Sequence, residues 1–316
     1  MTATVSVIVP SYHRPDSLVR CLNALASGSM LPDRVLIVVR GDDTDTCEAL
    51  ARWIETPPER LNACRVDVLE PGQIAAMNAG LQAATEDIVC FIDDDTAPHP
   101  DWLANLLRHY ADPAVGGVGG RDIVHQDGTV LDGRVREVGK LRWYGRMIGN
   151  HHLQLDGGPV PVDHLKGANM SFRRRLLPPF DERLATGSCC LNDTDASLSV
   201  TAQGYRLIYD PQAAVDHITA PRHCWVSRDT ADAELVYSDS HNWVYCLLKH
   251  LGPARRAVFF AYALLVGEGT RYGLLKALAS LPGHGLPALS QFRASTRGKL
   301  SALRTYAAWR GSEKTG

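Results

Sequence analysis

Apolar and polar positions in the first 110 residues alternate between two periods. Val5–Pro10 (VSVIVP), Arg34–Val39 (RVLIVV) and Ile88–Ile92 (IVCFI) are continuous, β-branched apolar runs, while Arg65–Leu69 reads as a further, shorter strand. Such runs mark strands covered on both faces. Between them apolar positions recur at helical spacing. Pro15 and Asp16 open a segment with Leu18, Val19, Leu22 and Leu25 on one side, and Thr44–Ile54 is the next. Gln73–Ala84 aligns Ile74, Met77 and Leu81, and Asp101–Tyr110 stands behind Pro100. Strand and helix alternate four times, which predicts a parallel sheet with helices on both faces.

Beyond this region the pattern weakens. Residues 111–165 are Gly-rich and read as irregular, with a weak strand at Gly128–Leu131. A helix is expected at Asp193–Gln203 and a strand at Arg206–Tyr209, then Asp210-Pro211 and a short run to His217. From about Ala231 the chain reads as helices: Ala231–Leu251, Arg255–Gly267, Tyr272–Leu281 and Ser295–Trp309, broken by the Gly/Pro cluster Leu281–Pro287.

Ligands of open parallel sheets bind beyond the carboxyl ends of the strands. Attention therefore falls on Ser11–Arg14, Arg40–Asp45, Glu70–Gln73 and Asp93–Thr96. The last contains three consecutive carboxylates, Asp93, Asp94 and Asp95, directly after IVCFI. Adjacent like charges repel unless a cation or hydrogen-bond donors offset them. Residues two apart on an extended chain point the same way, so Asp93 and Asp95 can share one metal. Oxygen ligands of this kind suit Mg²⁺ or Mn²⁺ bridged to substrate phosphates. A solvated loop, or a cap for the following helix, is the plain alternative.

Competing site chemistries leave no trace. SYHR, after the first strand, has no glycine, so a dinucleotide fingerprint is absent, and neither a P-loop nor a G-x-S-x-G elbow occurs. The eight cysteines form no C-x-x-C, and packed, reduced thiols are expected.

Several segments taken in order resemble the family-2 glycosyltransferases: VSVIVPSYHR, the NAG of Asn78–Gly80, FIDDDTAPHPDWL, GANMSFRR, NDTDASL and DPQAAVDH. The match covers about residues 3–220. It implies a GT-A fold, a mainly parallel Rossmann-like sheet flanked by helices, with a C-terminal helical extension here. It also implies inverting transfer from a sugar nucleotide to a hydroxyl, in polysaccharide or glycolipid synthesis. On that resemblance Pro10, Ser11, Tyr12, Arg14, Arg40, Asp42, Asn78, Asp93 and Asp94 would bind the donor. Gly167, Asn169 and Asp195 would line the sugar or acceptor pocket. Asp193, in NDTD, would be the general base, with Asp195 its rival. Asp93, Asp95 and His217 would hold Mn²⁺ or Mg²⁺. The expected donor is a UDP-sugar and the acceptor a saccharide or a lipid-linked one.

Two positions depart from the family pattern. Arg40 stands where an acidic residue usually follows the second strand, with Asp42 and Asp43 slightly later. Asn192 stands where Glu often precedes the base. A non-catalytic carbohydrate-binding module of the same fold, or a nucleotidyltransferase, is the alternative. A helix N-cap is the structural alternative for Asp193, and a core histidine that for His217. His151, His152 and His164 are candidates to touch the acceptor, and no role is assigned to Lys166 or Arg173–Arg175.

Charge adds a second theme. Thirty-three Lys and Arg face 35 Asp and Glu, a net charge of −2, which demands no nucleic-acid partner. The balance is uneven: residues 249–316 hold eleven basic residues and only Glu268 and Glu313 as acids. A catalytic domain over residues 1–225 and a basic helical region over 226–316 are expected. The longest uncharged apolar stretch, Ala257–Gly267, has 11 residues, short of the roughly 20 that span a bilayer. MTATVSVIVP has no basic leader region. A cytoplasmic location is expected, with the basic region able to lie on the inner face of an anionic membrane.

Overall fold

In the computed structural model the described residues are 3–55, 61–187, 191–219, 233–284 and 286–312. The alternation of the first 110 residues is realised almost as written. Strands β1 (Val5–Pro10), β2 (Arg34–Arg40), β3 (Ala63–Val68) and β4 (Ile88–Ile92) pair in parallel in the order β4-β1-β2-β3. Helices α1 (Pro15–Ala26), α2 (Thr44–Glu55) and α3 (Gln73–Ala83) connect them. The apolar runs are buried throughout β4 and over five residues each of β1 and β2, as strands covered on both faces must be. Gly80 in α3 lies against the Ile8 side chain of β1, where a Cβ would collide. That close approach accounts for the glycine of the NAG motif.

After β4 come a short strand β5 (Thr96–Pro98), helix α4 (Trp102–Leu107) and a long strand β6 (Val115–Gln126). Strands β7 (Val160–Val162), β8 (Asn169–Arg173) and β9 (Arg206–Ile218) complete a mixed sheet of order β7-β9-β6-β8-β4-β1-β2-β3. Here β8 runs antiparallel to both β4 and β6, while β6 and β9 are parallel. This is the GT-A architecture expected. The Gly-rich stretch read as irregular is therefore a central strand. Its sequence, VGGVGG, lacks the side chains that announce a strand because neighbours fill the space. At Gly120 a Cβ would strike the carbonyl oxygen of Ala213. The weak strand foreseen at Gly128–Leu131 is the two-residue strand Thr129–Val130 against β6.

β9 extends the short strand foreseen at Arg206–Tyr209 as far as Ile218. Its register against β6 shifts between Asp210, opposite Gly120, and Val215, opposite Asp122. The excursion is fixed by Asp210, which is fully buried. It accepts from Arg108 Nη2 at 2.6 Å, contacts His109 Nε2 at 2.7 Å and accepts the Gln212 amide at 2.9 Å.

The chain forms two compact units. One comprises Met1–Lys140, Ile148–Phe180 and Ala196–His223 and holds the sheet; the other comprises Leu141–Met147, Asp181–Asp195 and Cys224–Gly316. The boundary foreseen at residue 225 and the helix start at Ala231 lie outside the described residues. Helix α5 (Asn192–Ala202) begins with NDTDASL. The second unit holds α6 (Ala233–His250), α7 (Pro253–Leu265), α8 (Leu274–His284) and α9 (Leu286–Ser312). Trp243 of α6 meets Phe259 of α7 edge to face at 5.0 Å. α9 is longer than the foreseen Ser295–Trp309. It starts at Leu286, inside the Gly/Pro cluster, with Pro287 in its first turn, where no N–H is needed.

Candidate active site

The carboxyl ends of β1, β4 and β9 converge on the acidic triplet. Ser11, at the end of β1, donates to Asp94 Oδ2 at 2.6 Å. Arg14 Nη1 bridges Asp94 Oδ1 at 2.9 Å and Asp95 Oδ2 at 3.1 Å. Burial pushes the Asp94 carboxyl up to about 6, against the pull of Arg14 and Ser11. The repulsion inherent in three adjacent carboxylates is thus offset by one guanidinium and one hydroxyl.

His217, near the end of β9, closes the group. Its Nε2 lies 3.2 Å from Asp95 Oδ1 and its Nδ1 2.9 Å from Asp122 Oδ1. Ligand atoms of Asp93, Asp95 and His217 all lie within 4.8 Å of one another. Two carboxylates and an imidazole suit Mn²⁺ or a similar divalent cation. With Asp122 on Nδ1, the Nε2 edge faces the triplet, the orientation a metal ligand needs.

Asp122 was not singled out in the sequence. It is fully buried on β6 and also binds Lys166 Nζ, to which no role was assigned. Burial alone would push the Asp122 carboxyl up and the His217 imidazole down. The contacts with His217 and Lys166 hold Asp122 low, and Asp122 with Asp95 holds His217 high. The available signal was an Asp two residues past a Gly-rich run, legible only once that run is seen as a strand.

A second group occupies the ends of β1 and β2. The Arg40 guanidinium stacks on the Tyr12 ring at 4.2 Å and also bonds the Tyr12 hydroxyl. It forks onto Asp42, at 2.5 and 2.6 Å. The Asp42 side chain is 58% exposed and presents this pair outward. Asp43 faces inward, fully buried, and accepts the backbone amides of His13 at 2.5 Å and Thr46 at 3.1 Å. It thereby holds His13 at φ 54° and fixes the turn that presents Tyr12 and Arg14.

Two residues assigned to ligand pockets have their side-chain amides engaged within the protein. Asn169 is fully buried; it accepts from Trp102 Nε1 at 2.9 Å and donates to the carbonyls of Ala213 at 2.8 Å and Arg121 at 3.2 Å. It clips α4, β6 and β9 beneath the triplet. Asn78 exchanges two hydrogen bonds with the Phe180 backbone, at 3.0 and 2.7 Å. Gly167 is half-buried beside Lys166, and Pro10 ends β1.

In the second unit, NDTD opens α5. Asp193 is half-buried, and its Oδ1 accepts the Thr194 amide at 2.6 Å. Asp195 is buried, and both its oxygens are engaged on α6: Lys249 Nζ at 2.9 Å on one, His250 Nε2 at 2.7 Å on the other. Lys249 also binds Asp181 at 2.9 Å, to which Tyr245 donates at 2.7 Å. Burial lowers the Lys249 ammonium, but Asp195 and Asp181 outweigh it and hold it above the ordinary lysine value.

The family described as "Glycosyltransferase like family 2" matches residues 3–233. The chain is 30% identical over 241 residues to the pre-mycofactocin glycosyltransferase of Mycobacterium tuberculosis, covering 71% of this chain and 45% of that protein. It is 26% identical over 261 residues to the O-antigen biosynthesis protein RfbC of Myxococcus xanthus, covering 77% of this chain and 19% of RfbC. The chain thus spans less than half the length of these relatives. Among solved structures, the mannosyltransferase PcManGT of Pyrobaculum calidifontis, in complex with GDP-Man and Mn²⁺, superposes with a TM-score of 0.58 at 22% identity. That match covers 98% of this chain and 83% of the other. GalNAc-T7, with UDP, GalNAc and Mn²⁺, gives 0.59 at 16% identity over 92% and 54%. The order of motifs, the mixed sheet and the match over residues 3–233 agree: the chain belongs to glycosyltransferase family 2.

Proposed function

We propose that the chain is an inverting glycosyltransferase that moves a sugar from a nucleotide-diphosphate donor to a hydroxyl acceptor. The observation that carries this reading is the convergence of Asp93, Asp95 and His217 within 4.8 Å, with Arg14 alongside, at the carboxyl edge of the sheet. Asp93, Asp95 and His217 would hold Mn²⁺ or Mg²⁺, which when bound would supply Lewis-acid neutralisation of a diphosphate leaving group. Asp122 keeps the His217 ring in register. Arg14 adds a fixed positive charge for the diphosphate and ties the loop after β1 to the triplet. The Tyr12–Arg40 stack offers a flat platform for the nucleotide base, and exposed Asp42 offers an acceptor to its N–H or to a ribose hydroxyl. UDP-sugars are the donor class we assign, and saccharide or lipid-linked alcohols the acceptors.

The general base is Asp193. Its rival, Asp195, is buried, and both its oxygens are engaged by Lys249 and His250 of α6 rather than left open to an acceptor hydroxyl. Asp195 acts instead as the anchor of the NDTD turn on α6.

The test is a thermal-shift screen of UDP- and GDP-sugars with and without Mn²⁺. A true donor at a hundred times its dissociation constant stabilises the protein by about 2.7 kcal/mol. Asp95→Ala should abolish both the metal-dependent shift and transfer. Binding of sugar nucleotide without transfer to any acceptor would favour a non-catalytic module, and full transfer in excess chelator would remove the metal from the scheme.

A further inference from the structure

The helices α7, α8 and α9 form a run in which each packs on the next. Residues 253–312 contain nine Lys and Arg and a single carboxylate, Glu268. Glu268 is bound to Arg271 at 3.2 Å with only 20% of its side chain exposed, so this stretch shows water almost no negative charge.

The exposed face of α7 is a helical stripe of Ala254, Ala257, Val258, Ala261 and Leu265, with no polar residue in it. Soluble helices present charged or polar residues on that face. α8 continues the pattern, leaving Leu274, Leu275 and Leu278 at 42%, 58% and 53% exposure. α9 differs in kind. Its outward row combines Leu289, Arg293, Arg297, Leu300 and Arg304, all exposed and all within about 80° of arc at 100° per residue. The whole 27-residue helix has no acidic residue.

We infer that α7–α9 dock on an anionic lipid bilayer, with Val258, Leu265, Leu275 and Leu278 in the acyl boundary and Arg293, Arg297 and Arg304 at the headgroups. The charge selects this occupant. A second copy of the same face would set arginine against arginine, and a nucleic-acid backbone offers nothing to the apolar stripe of α7. An anionic bilayer meets both needs at once, because long Arg stems cover apolar surface while their heads reach phosphate. Among the described residues no helix is long and apolar enough to cross a membrane, so the contact lies in the interface plane. The inference concerns the helical unit alone and stands apart from the donor reading.

The experiment is co-sedimentation of the full chain with phosphatidylcholine vesicles, with and without phosphatidylglycerol. The protein should pellet with the anionic vesicles and be partly released by salt. R293Q/R297Q/R304Q removes three interfacial charges and should lower partitioning by about a hundredfold. L265S/L275S/L278S changes only exposed side chains and should remove the salt-resistant fraction. Circular dichroism checks that both variants fold. Absence of pelleting at low ionic strength overturns the inference. So does binding that the arginine variant loses and the leucine variant keeps, since that identifies a site for polyanions rather than a bilayer.

Discussion

Asp122→Asn separates the charge behind His217 from its shape. Asp122 is fully buried and serves two basic partners, His217 through Nδ1 and Lys166 through Nζ. Asparagine keeps an oxygen at the same reach, so the His217 ring retains an acceptor and loses only the carboxylate's pull. Removing one member of a buried ion pair costs about 3–5 kcal/mol when the other stays stranded. The Lys166 side chain is already 34% exposed and can turn to water, so the expected loss of stability is nearer 2 kcal/mol. The second effect is on the metal. Outer partners of a ligating histidine are worth about 10–100-fold in affinity, or about 1.4–2.7 kcal/mol. The assay is Mn²⁺ titration by calorimetry on folded wild type, D122N, H217A and the double variant. D122N should weaken Mn²⁺ by that factor, and in the H217A background it should add almost nothing. An Mn²⁺ affinity within twofold of wild type in a folded D122N protein would refute the orienting role.

Asp193→Asn should lower turnover about 10²–10⁴-fold with donor affinity unchanged, while Asp195→Asn should act first on stability. Near-normal turnover of D193N would move the base elsewhere. Asn169→Ala strands the Trp102 indole N–H and two carbonyls, so the urea midpoint should fall by the equivalent of about 2–4 kcal/mol, and an unchanged midpoint would deny the clip. Lys299 is buried, donating to the carbonyls of Ala263 at 2.7 Å and Tyr272 at 2.5 Å, and burial pushes its ammonium down to about 8. Between pH 8 and the unfolded value of 10.5 the unfolded chain holds more protons, so this group adds stability as pH rises and withdraws it as pH falls. The wild-type minus K299M difference should therefore move by about 2.4 kcal/mol between pH 7.5 and 10, cancelling the buried thiols common to both; a flat difference would contradict it.

What could be read in advance followed the strength of the local pattern. β1 and β4 were legible to the residue, because unbroken β-branched runs have few other uses. β6 was not, because its glycines serve packing partners distant in sequence: Tyr205 and Val200 at Gly116, Ala213 at Gly120. Losing β6 meant losing Asp122 with it. Within the site, Asp93, Asp95 and His217 could be paired by resemblance, and they do meet. Asn78 and Asn169 look like binding residues in a motif, but the hydrogen bonds that occupy them come from Phe180 and Trp102, which no local pattern connects to them. Arg40, the departure from the family pattern, found its explanation in Tyr12, 28 residues earlier.

The excursion of β9 between Asp210 and Val215 also bears on how such a site can change over generations. Neighbouring side chains on a strand face opposite ways. His217 meets Asp95 and Asp122, while Asp216 turns the other way, to His99 at 3.0 Å and His125 at 2.7 Å. The residues that follow Asp210 set which of the two points inward. Inserting a single residue there would bring the Asp216 carboxylate where the imidazole stood, deleting one would bring Ile218 there, and either would carry the histidine to the far face. The imidazole that meets Asp95 and Asp122 can thus be lost from the site, or replaced by another side chain, without any substitution at position 217. In descendants of this gene, the length of the segment after Asp210 is as much a part of the site as the histidine itself.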